Sequence, residues 1–435
     1  MNKKILKLAI PNILGNLSVP LLSSVDTAVM GHLTLSVYLG AIALGSMIFN
    51  FIYWGFGFLR MGTTGITAQA FGRNNDSEIS SILFRSLLIS VTIGFVLILF
   101  QYPIEFISFN LINGSTNVET LAKKYFDIRI FAAPATLSLY AFQGWFLGVQ
   151  NSKFPLYISL FVNIVNIIFN LIFVYLLNMN VDGVALGTVV AQYLGIVVTV
   201  LLLRKHYKNF LTKLKMQEIL NKEKIKKFFR INTDIFLRTL LLIFTISFFT
   251  AKSAEFNNNI LAANFILLQL WLIISYGVDG FAFAAESLVG RYTGAKDKIN
   301  LKKVIKNSFA WGISMGIILS FVYFILSKEI LSLYTNQSKV IEMALGFMIW
   351  IVVAPVINSI SFIWDGIYIG ATATREMLIS MIVSTLIFFL PIYYFTKDVL
   401  DNHSLWLALT IFMVIRGLTL TFFSKKIINI TERRN

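Results

Sequence analysis

Long apolar runs separated by short polar loops dominate this chain. A helix needs roughly 20 consecutive apolar residues to cross a bilayer, and runs of about that length or longer occur twelve times. They fall near residues 8–30, 41–71, 83–108, 122–149, 155–177, 184–203, 231–251, 260–288, 308–327, 342–370, 378–395 and 405–423. The pattern predicts an all-α integral membrane protein with twelve transmembrane helices, six in each half.

The second half of the chain repeats the first at an offset of 222 residues. FQGWFLGVQNS at 142–152 lies over WDGIYIGATAT at 364–374, and both glycines of each stretch coincide. The same offset places Gly72 on Gly294, where both segments enter a charged loop. Internal repeats of this kind are typical of secondary transporters whose site lies between the halves.

Basic residues indicate the orientation of the helices. Of the 37 Lys and Arg, 27 lie on or beside loops on the side of the N-terminus, six lie on the other side and four lie within the apolar runs. Both termini are therefore expected in the cytoplasm. Because each half has an even number of helices, a pseudo-two-fold axis along the membrane normal would relate the two six-helix lobes.

These features divide the chain into three parts. We expect an N-lobe at 1–203, a cytoplasmic basic linker at 204–230 and a C-lobe at 231–435. The linker carries ten Lys or Arg against Glu218 and Glu223. Its apolar residues are spaced along one face, which favours a basic amphipathic helix on the inner leaflet. A plain tether between the lobes is the simpler interpretation.

Composition supports a membrane protein and excludes several classes of function. Apolar residues make up 57% of the chain, charged residues 13%, and the mean hydropathy is +0.76. The net charge of +16 lies in loops and forms no basic face, so we expect the lipid bilayer and no nucleic acid as a partner. The chain has no cysteine, which excludes disulfides and thiolate metal sites. We expect a monomer in the inner membrane.

Motifs for enzymes and ATP-driven pumps are missing from the sequence. No Gly-Lys pair occurs, so the phosphate-binding P-loop is absent. The three histidines stand apart in or beside predicted loops and form no H-E-x-x-H. The G-x-S-x-G stretch GISMG at 312–316 lies inside an apolar run and not at a strand-to-helix turn, so it does not support a serine hydrolase. The sequence predicts a protein that is neither an enzyme nor a primary pump and that needs no cofactor.

Five polar residues inside the apolar runs of the N-terminal half are candidates for one cluster. Asp26 precedes the outer end of the first run by about five residues, roughly 7 to 8 Å inside the boundary. Asn163, Asn166 and Asn170 follow at spacings of three and four along one face of the fifth helix. Thr188 lies at a similar depth on the sixth helix, which returns inward. Topology thus predicts that Asp26, Asn170 and Thr188 lie near one another.

An ionised carboxylate inside a bilayer must find a partner or be neutralised by a proton or a metal cation. Together with amide and hydroxyl oxygens, Asp26 forms an oxygen-rich set suited to a small hard cation such as Na⁺. Asp26 can also simply take a proton. The alternative is structural: Asp26 pairs with a buried arginine such as Arg60, and the asparagines join helices by hydrogen bonds.

These residues resemble the multidrug and toxic compound extrusion (MATE) family over nearly the whole chain. The resemblance rests on Pro11 and Asp26 in the first helix, the N-x-x-x-N of the fifth, and Thr188. Three stretches resemble its DinF (DNA-damage-inducible F) branch. They are FLRMGTTGITAQAFG at 58–72, INTDIFLRTLL at 231–241 and VDGFAFAAE at 278–286.

The resemblance implies a V-shaped pair of lobes that exports amphipathic, often cationic, compounds in exchange for H⁺ or Na⁺. It also implies a cation site at Asp26, Asn166, Asn170 and Thr188, with Pro11 allowing the first helix to bend. Two departures concern the coupling ion. Some relatives carry Asp at the position of Asn170, and other branches carry a second acidic residue midway along helix seven, where Thr239 to Phe249 of this chain contain none.

Other polar residues inside the apolar runs are candidates for a substrate cavity. Asp279 and Glu286 lie seven apart on one face of helix eight and can attract a cationic substrate or pair with Arg291 or Arg416. Asp234 and Arg238 are one turn apart and are expected to neutralise each other. Equivalent places in the two halves carry polar residues before G-x-x-x-G, namely Gln143 and Asp365. Those glycines are expected to serve close helix packing.

The leading hypothesis is a secondary active multidrug exporter in which Asp26 couples substrate export to H⁺ or Na⁺ entry. A lipid-linked oligosaccharide flippase is the first alternative and would be favoured by a strongly cationic central cavity. An intramembrane lipid transferase is the second alternative and lacks the metal and phosphate motifs it would need.

Overall fold

The computed structural model is helical throughout, with no strand among the described residues. The backbone is described for residues 1–31, 36–111, 115–211 and 216–430, and side chains for 1–18, 37–111, 115–211 and 217–427. The predicted all-α fold is confirmed for this part of the chain.

Eleven helical segments in the described residues are long and apolar enough to cross a membrane. Each overlaps one of the predicted runs from the second to the twelfth. They are Val37–Gly72, Asp76–Leu99, Thr116–Gly148, Lys153–Leu176, Val181–His206, Lys222–Ser253, Asn258–Gly294, Lys298–Ile325, Ser338–Gly370, Thr374–Leu400 and His403–Ile427. The first predicted run lies in helix α1 (Asn2–Gly31), whose side chains beyond Ser18 are outside the described set.

Contacts between residues divide the chain into two compact units. The first is formed by Leu14–Phe228 and the second by Met1–Ile13 together with Phe229–Asn435, so the division falls inside α1. The first unit contains α2 (Ser36–Gly55), α3 (Phe58–Gly72), α4 (Asp76–Leu99), α5 (Gln101–Leu111), α6 (Thr116–Arg129), α7 (Ala133–Gly148), α8 (Lys153–Leu171), α9 (Val181–His206), α10 (Lys208–Leu211) and α11 (Met216–Ile219).

The second unit begins within α12 (Lys222–Ser253) and contains the remaining helices. They are α13 (Asn258–Gly294), α14 (Lys298–Ile325), α15 (Ser327–Tyr334), α16 (Ser338–Gly370), α17 (Thr374–Ile382), α18 (Leu390–Leu400) and α19 (His403–Ile430). The lobe boundaries predicted at residues 203 and 231 stay a prediction.

The 222-residue repeat is visible in the helices. The bounds of α13 and α16 are those of the segments 36–72 and 116–148 shifted by 222. Both units also place non-glycine residues at positive φ at equivalent turns. Asn74 and Lys296 follow the glycine that ends α3 or α13, while Gln150 and Thr372 follow α7 or α16. The two halves therefore use the same turns.

Close helix packing recurs at the repeated glycines. A Cβ atom at Gly144 would lie 2.3 Å from the carbonyl oxygen of Arg60, and one at Gly366 would lie 2.1 Å from that of Ala282. Arg60 and Ala282 are themselves 222 residues apart. The absence of a side chain thus lets α7 approach α3, and α16 approach α13, as predicted for these glycines.

Hydrogen bonds attach the basic linker to α4. The Arg85 guanidinium donates from Nε to the carbonyl of Ile219 at 3.1 Å and from Nη2 to the carbonyl of Glu218 at 2.6 Å. Lys224 forms an ion pair with Glu78. Helices α10 and α11 are four residues each. Helix α11 ends at Ile219, whose carbonyl accepts from Arg85, and α12 begins at Lys222, so the described part of the linker is not one continuous helix. The linker as a plain tether stays a prediction.

Candidate functional site

Helices α8 and α9 bring three of the four predicted cation-site residues together. Asn170 donates from Nδ2 to Oδ1 of Asn166 at 3.3 Å, and Asn166 donates from Nδ2 to Oγ1 of Thr188 at 3.2 Å. The hydroxyl of Thr188 donates to the carbonyl of Val184, one turn earlier, at 3.1 Å. Asn166 and Asn170 are buried, at 4% and 1% exposure. The result is a continuous hydrogen-bonded row, which we call the amide row.

Two backbone features shape the amide row. Gly187 faces Asn170, and a Cβ atom there would lie 2.2 Å from Asn170 Oδ1 and 3.2 Å from its backbone nitrogen. Directly after Asn170, helix α8 widens into a π-helical turn at Ile172–Leu176. Such turns disturb the regular ladder and are frequent at functional sites. The glycine and the turn together let an amide side chain sit at the contact between the two helices.

The fourth predicted residue, Asp26, lies on α1, and its side chain is outside the described residues. Pro11, the predicted hinge, lies inside α1 two residues before the end of the short segment Met1–Ile13. Proline removes one donor from the helical ladder and weakens it locally. Ser18, on the same helix, accepts a hydrogen bond from Nδ2 of Asn163 on α8 at 3.4 Å.

A cavity of about 400 Å³ lies in the unit formed by Leu14–Phe228. Three of the predicted residues, Gln143, Asn163 and Thr188, contribute to its lining. The other lining residues in the described part of the chain are Asn50, Tyr53, Trp54, Arg129, Ala132, Thr136, Leu139, Tyr140, Ile158, Ser159, Val162 and Gln192. Aromatic and aliphatic side chains thus alternate with amides and hydroxyls, which suits an amphipathic ligand.

A break in the helix sets the position of Arg129. Helix α6 ends at Arg129, a 3₁₀ turn covers Ile130–Ala132, and α7 follows with Pro134 in its first turn. Since proline has no backbone donor, the helix is interrupted there. Arg129 donates from Nη1 to Oγ of Ser46 at 3.0 Å and to the hydroxyl of Tyr125 at 2.5 Å.

The second unit contains a buried ion cluster. Asp365 is held through Oδ2 by Arg416 at 2.6 Å and also by Arg238. The three residues are exposed by only 9%, 1% and 7% respectively. Arg416 also interacts electrostatically with Asp279, which is partly buried nearby on α13. Two arginines share one carboxylate, so the cluster depends on Asp365 to keep them together.

One predicted pairing is wrong. Asp234 and Arg238, four residues apart, form no ion pair in this described stretch. Instead Asp234 accepts a hydrogen bond from Thr374 at 2.8 Å, and Arg238 turns to Asp365. Helical spacing permits the local pair, but the buried carboxylate is the better partner because it is desolvated. Glu286, also on α13, is 1% exposed.

Several cavity residues were not predicted. Arg129 was recognised in the sequence only as a charge inside an apolar run, and Tyr53, Tyr140, Thr136 and Gln192 were not singled out. Gln192 follows Thr188 by one helical turn, so helical spacing from a predicted site residue can find it. The tyrosines belong to aromatic-rich runs in which no spacing distinguishes cavity from lipid.

A comparison with known protein families matches each half of the chain separately. A family model described as MatE matches residues 11–172 and again 235–395. The chain belongs to the MatE family. Over 419 residues this MatE protein is 36% identical to the DNA damage-inducible protein F of Escherichia coli, across 96% of this chain and 91% of that protein. This confirms the resemblance to the DinF branch.

A second relative is named a probable multidrug resistance protein NorM, from Photorhabdus laumondii. It is 24% identical over 86% of this chain and 83% of its own length. A crystal structure of a MATE protein in complex with MaD3S shares the fold, with a TM-score of 0.88 at 17% identity over 99% of this chain and 97% of that one. The MatE protein is therefore a multi-pass membrane efflux transporter and not an enzyme.

Proposed function

We propose that this MatE protein exports amphipathic small molecules in exchange for H⁺ or Na⁺, with Asp26 as the coupling carboxylate. The observation that supports the proposal is the amide row of Asn170, Asn166 and Thr188. The amide and hydroxyl oxygens of this row lie on α8 and α9, in the unit Leu14–Phe228. That unit also contains most of α1.

The physical basis is the cost of a carboxylate charge in hydrocarbon. An ionised Asp26 is stabilised when it binds a proton or when Na⁺ joins it to neutral oxygen ligands. Carboxylate, amide carbonyl and hydroxyl oxygens are the ligands that hard cations prefer. Each time the carboxylate is neutralised, the preferred conformation of its helix changes, and the populations of the transport states shift with it.

Pro11 is proposed as the hinge of this change. A helix with a missing hydrogen bond bends at lower cost than a regular one. Its place near the end of Met1–Ile13 supports the proposal, because the contact-based division of α1 falls just beyond it. Motion of Asp26 can then be transmitted along α1 without melting the helix.

Substrate contacts are proposed in both units. Gln143 and Asn163 line the 400 Å³ cavity of the first unit. In the second unit, Asp279, Glu286 and Asp365 are proposed as further polar contacts, although Asp365 is also the centre of the ion cluster. We further propose that both termini face the cytoplasm and that the protein works as a monomer in the inner membrane.

The flippase alternative receives no support from the described cavity. A site for a lipid pyrophosphate needs several cations, because each phosphate carries its own charge. Arg129 is the one basic residue among the described lining residues of this cavity. Export of a small amphipathic molecule fits this lining better.

Efflux from reconstituted vesicles tests the proposal. A proton gradient and a sodium gradient are imposed separately on wild-type protein and on Asp26→Asn, with Asp127→Asn as the matched control because Asp127 is exposed in the same unit. We expect one gradient to drive wild-type efflux, Asp127→Asn to behave like wild type, and Asp26→Asn to lose driven efflux while still inserting. Driven efflux of normal rate by Asp26→Asn would overturn the assignment.

A further inference from the structure

The described lining of the cavity in the first unit contains one cationic side chain, Arg129. Among its described lining residues Arg129 is charged, and none is Asp or Glu. The remaining polar groups are neutral amides and hydroxyls. Among the described lining residues, Arg129 is therefore the group that can pair with a charged ligand, and the amides and hydroxyls beside it can accept or donate hydrogen bonds.

The buried arginines of the described chain have acidic partners, whereas Arg129 is only half-buried. Arg238 and Arg416 share Asp365. Arg85 lies 3.8 Å from Glu78, in addition to its two linker carbonyls. In the described part of the chain, Arg129 has no such partner. Burying an unbalanced charge is unfavourable, so a site that retains one calls for a specific explanation.

The contacts of Arg129 leave part of its guanidinium unused. Its hydrogen bonds to Ser46 and Tyr125 both run through Nη1. Nε is buried and has no acceptor in the described structure. The guanidinium lies over the ring of Phe49, 4.9 Å from its centroid, which fixes its plane. Nη1 is therefore occupied and Nε is covered by protein, whereas no hydrogen bond of Nη2 is found in the described structure, so Nη2 can donate a charge-assisted hydrogen bond to an anion in the cavity.

We propose that this cavity binds an amphipathic anion, with the carboxylate or sulfonate of the substrate paired to Arg129. The proposal rests on the proposed function and specifies its substrate class. Trp54, Leu139 and Ile158 provide surface for the apolar body of the ligand, while Gln143 and Gln192 provide hydrogen bonds. This class differs from the cationic compounds that the family resemblance implies.

Equilibrium binding of three probes with one apolar body tests the charge preference directly. Isothermal titration calorimetry on the full-length protein in detergent compares 2-naphthylacetate, 2-(2-naphthyl)ethanol and (2-naphthylmethyl)trimethylammonium. Since a hydrogen-bonded charge pair is worth about one to two powers of ten in affinity, the carboxylate should bind about tenfold more tightly than the alcohol. Tighter binding of the ammonium probe by wild-type protein would overturn the proposal without any variant.

Substitutions of Arg129 test whether this residue causes the preference for the carboxylate probe. Arg129→Gln should weaken 2-naphthylacetate by about tenfold or more and leave the alcohol unchanged. Arg129→Lys keeps the charge but loses the planar fork, so its loss should be intermediate. Arg204→Gln removes an exposed arginine of the same unit and should change nothing. Wild-type affinity for the carboxylate in a folded Arg129→Gln protein would contradict the assignment.

The binding assay uses no ion gradient, so its outcome is separate from that of the vesicle assay. If the carboxylate preference holds and neither gradient drives efflux, the substrate class stands and the coupling mechanism is wrong. If a gradient drives efflux of the ammonium probe and 2-naphthylacetate does not bind, the coupling mechanism stands and the substrate class is wrong.

Discussion

Gly187 determines how near α9 can come to the amide of Asn170. In Gly187→Ala the added methyl would meet Asn170 Oδ1 and its backbone nitrogen, and the backbone cannot move aside without shifting the helix. We expect driven efflux in vesicles to fall about tenfold and the free energy of unfolding to drop by about 1–3 kcal/mol.

A glycine with open space around it provides the control for that substitution. A Cβ atom at Gly346 in α16 would meet no atom within 4 Å. Gly346→Ala should therefore leave efflux unchanged and stabilise the helix by up to about 1 kcal/mol. Normal efflux in Gly187→Ala would mean that the amide row does not take part in coupling.

Asp365 holds two arginines whose charges repel each other. Asp365→Asn removes the carboxylate that both arginines share, and breaking such a buried pair costs about 3–5 kcal/mol. We expect a large drop in the unfolding temperature measured in detergent, partly restored by adding Arg238→Gln. The exposed Asp398→Asn serves as the control. An unfolding temperature equal to that of wild type would show that the cluster does not stabilise the second unit.

Residue-level prediction from the sequence succeeded where one helix or one short turn determined the geometry. The spacing of Asn166 and Asn170 predicted that both lie on one helix face, and the return of the chain predicted Thr188 near Asn170; in the structure Asn166 is hydrogen-bonded to both. It failed for Asp234 and Arg238, because a carboxylate 127 residues away competes with the local partner. That Arg129 has no acidic partner in the described part of the chain could not be predicted either, since it depends on every helix around the cavity.

Helix α14 begins at an acidic cap in a loop outside the membrane spans. The carboxylate of Asp297 accepts from the backbone nitrogen of Asn300 at 3.0 Å and from its side chain at 2.7 Å. These hydrogen bonds hold the pKa of Asp297 below its usual value. A lowered pKa stabilises the fold above the pKa of the unfolded chain, and this stability is lost as the pH falls through the folded pKa.

Two substitutions distinguish the contribution of the capping hydrogen bond from that of the negative charge of Asp297. Asp297→Ala should cost about 1 kcal/mol at neutral pH, whereas Asp297→Asn keeps a capping oxygen and should cost less. The unfolding temperature is measured from pH 6 down to pH 3. Wild type should lose stability as the Asp297 carboxylate is protonated, and Asp297→Asn should lack this part of the loss. Identical pH profiles would contradict the assigned hydrogen bonds. Asn75, which caps α4 at the equivalent position, accepts from Glu78 at 3.0 Å.

The linker is expected to depend on Arg85. Removing its two hydrogen bonds to backbone carbonyls in Arg85→Gln should cost about 1.5–3 kcal/mol of local stability. Trypsin should then cleave at Lys222 and Lys224 faster than in wild type, as followed by mass spectrometry. Arg375→Gln, at an exposed site in the second unit, is the control. Unchanged cleavage would show that the linker is held by other contacts.

The two copies of the six-helix unit follow one plan at the scale of the whole molecule. The apolar runs and the constant offset of 222 residues were sufficient to predict the described spans and the repeat of the family model. The copies differ in their chemistry, with a polar cavity in the first unit and an ion cluster in the second. Sequence periodicity reports helices and repeats, but it does not report which charges remain unbalanced after folding.

Ion flux driven by substrate is the most direct test of coupling through Asp26. Vesicles that contain the protein and either a pH indicator or a sodium indicator are given an outward substrate gradient and no ion gradient. We predict that substrate leaving wild-type vesicles draws one of the two ions inward, and that Asp26→Asn vesicles show no such ion movement. Equal ion flux in Asp26→Asn, or substrate efflux from wild-type vesicles with neither ion moving, would contradict the account.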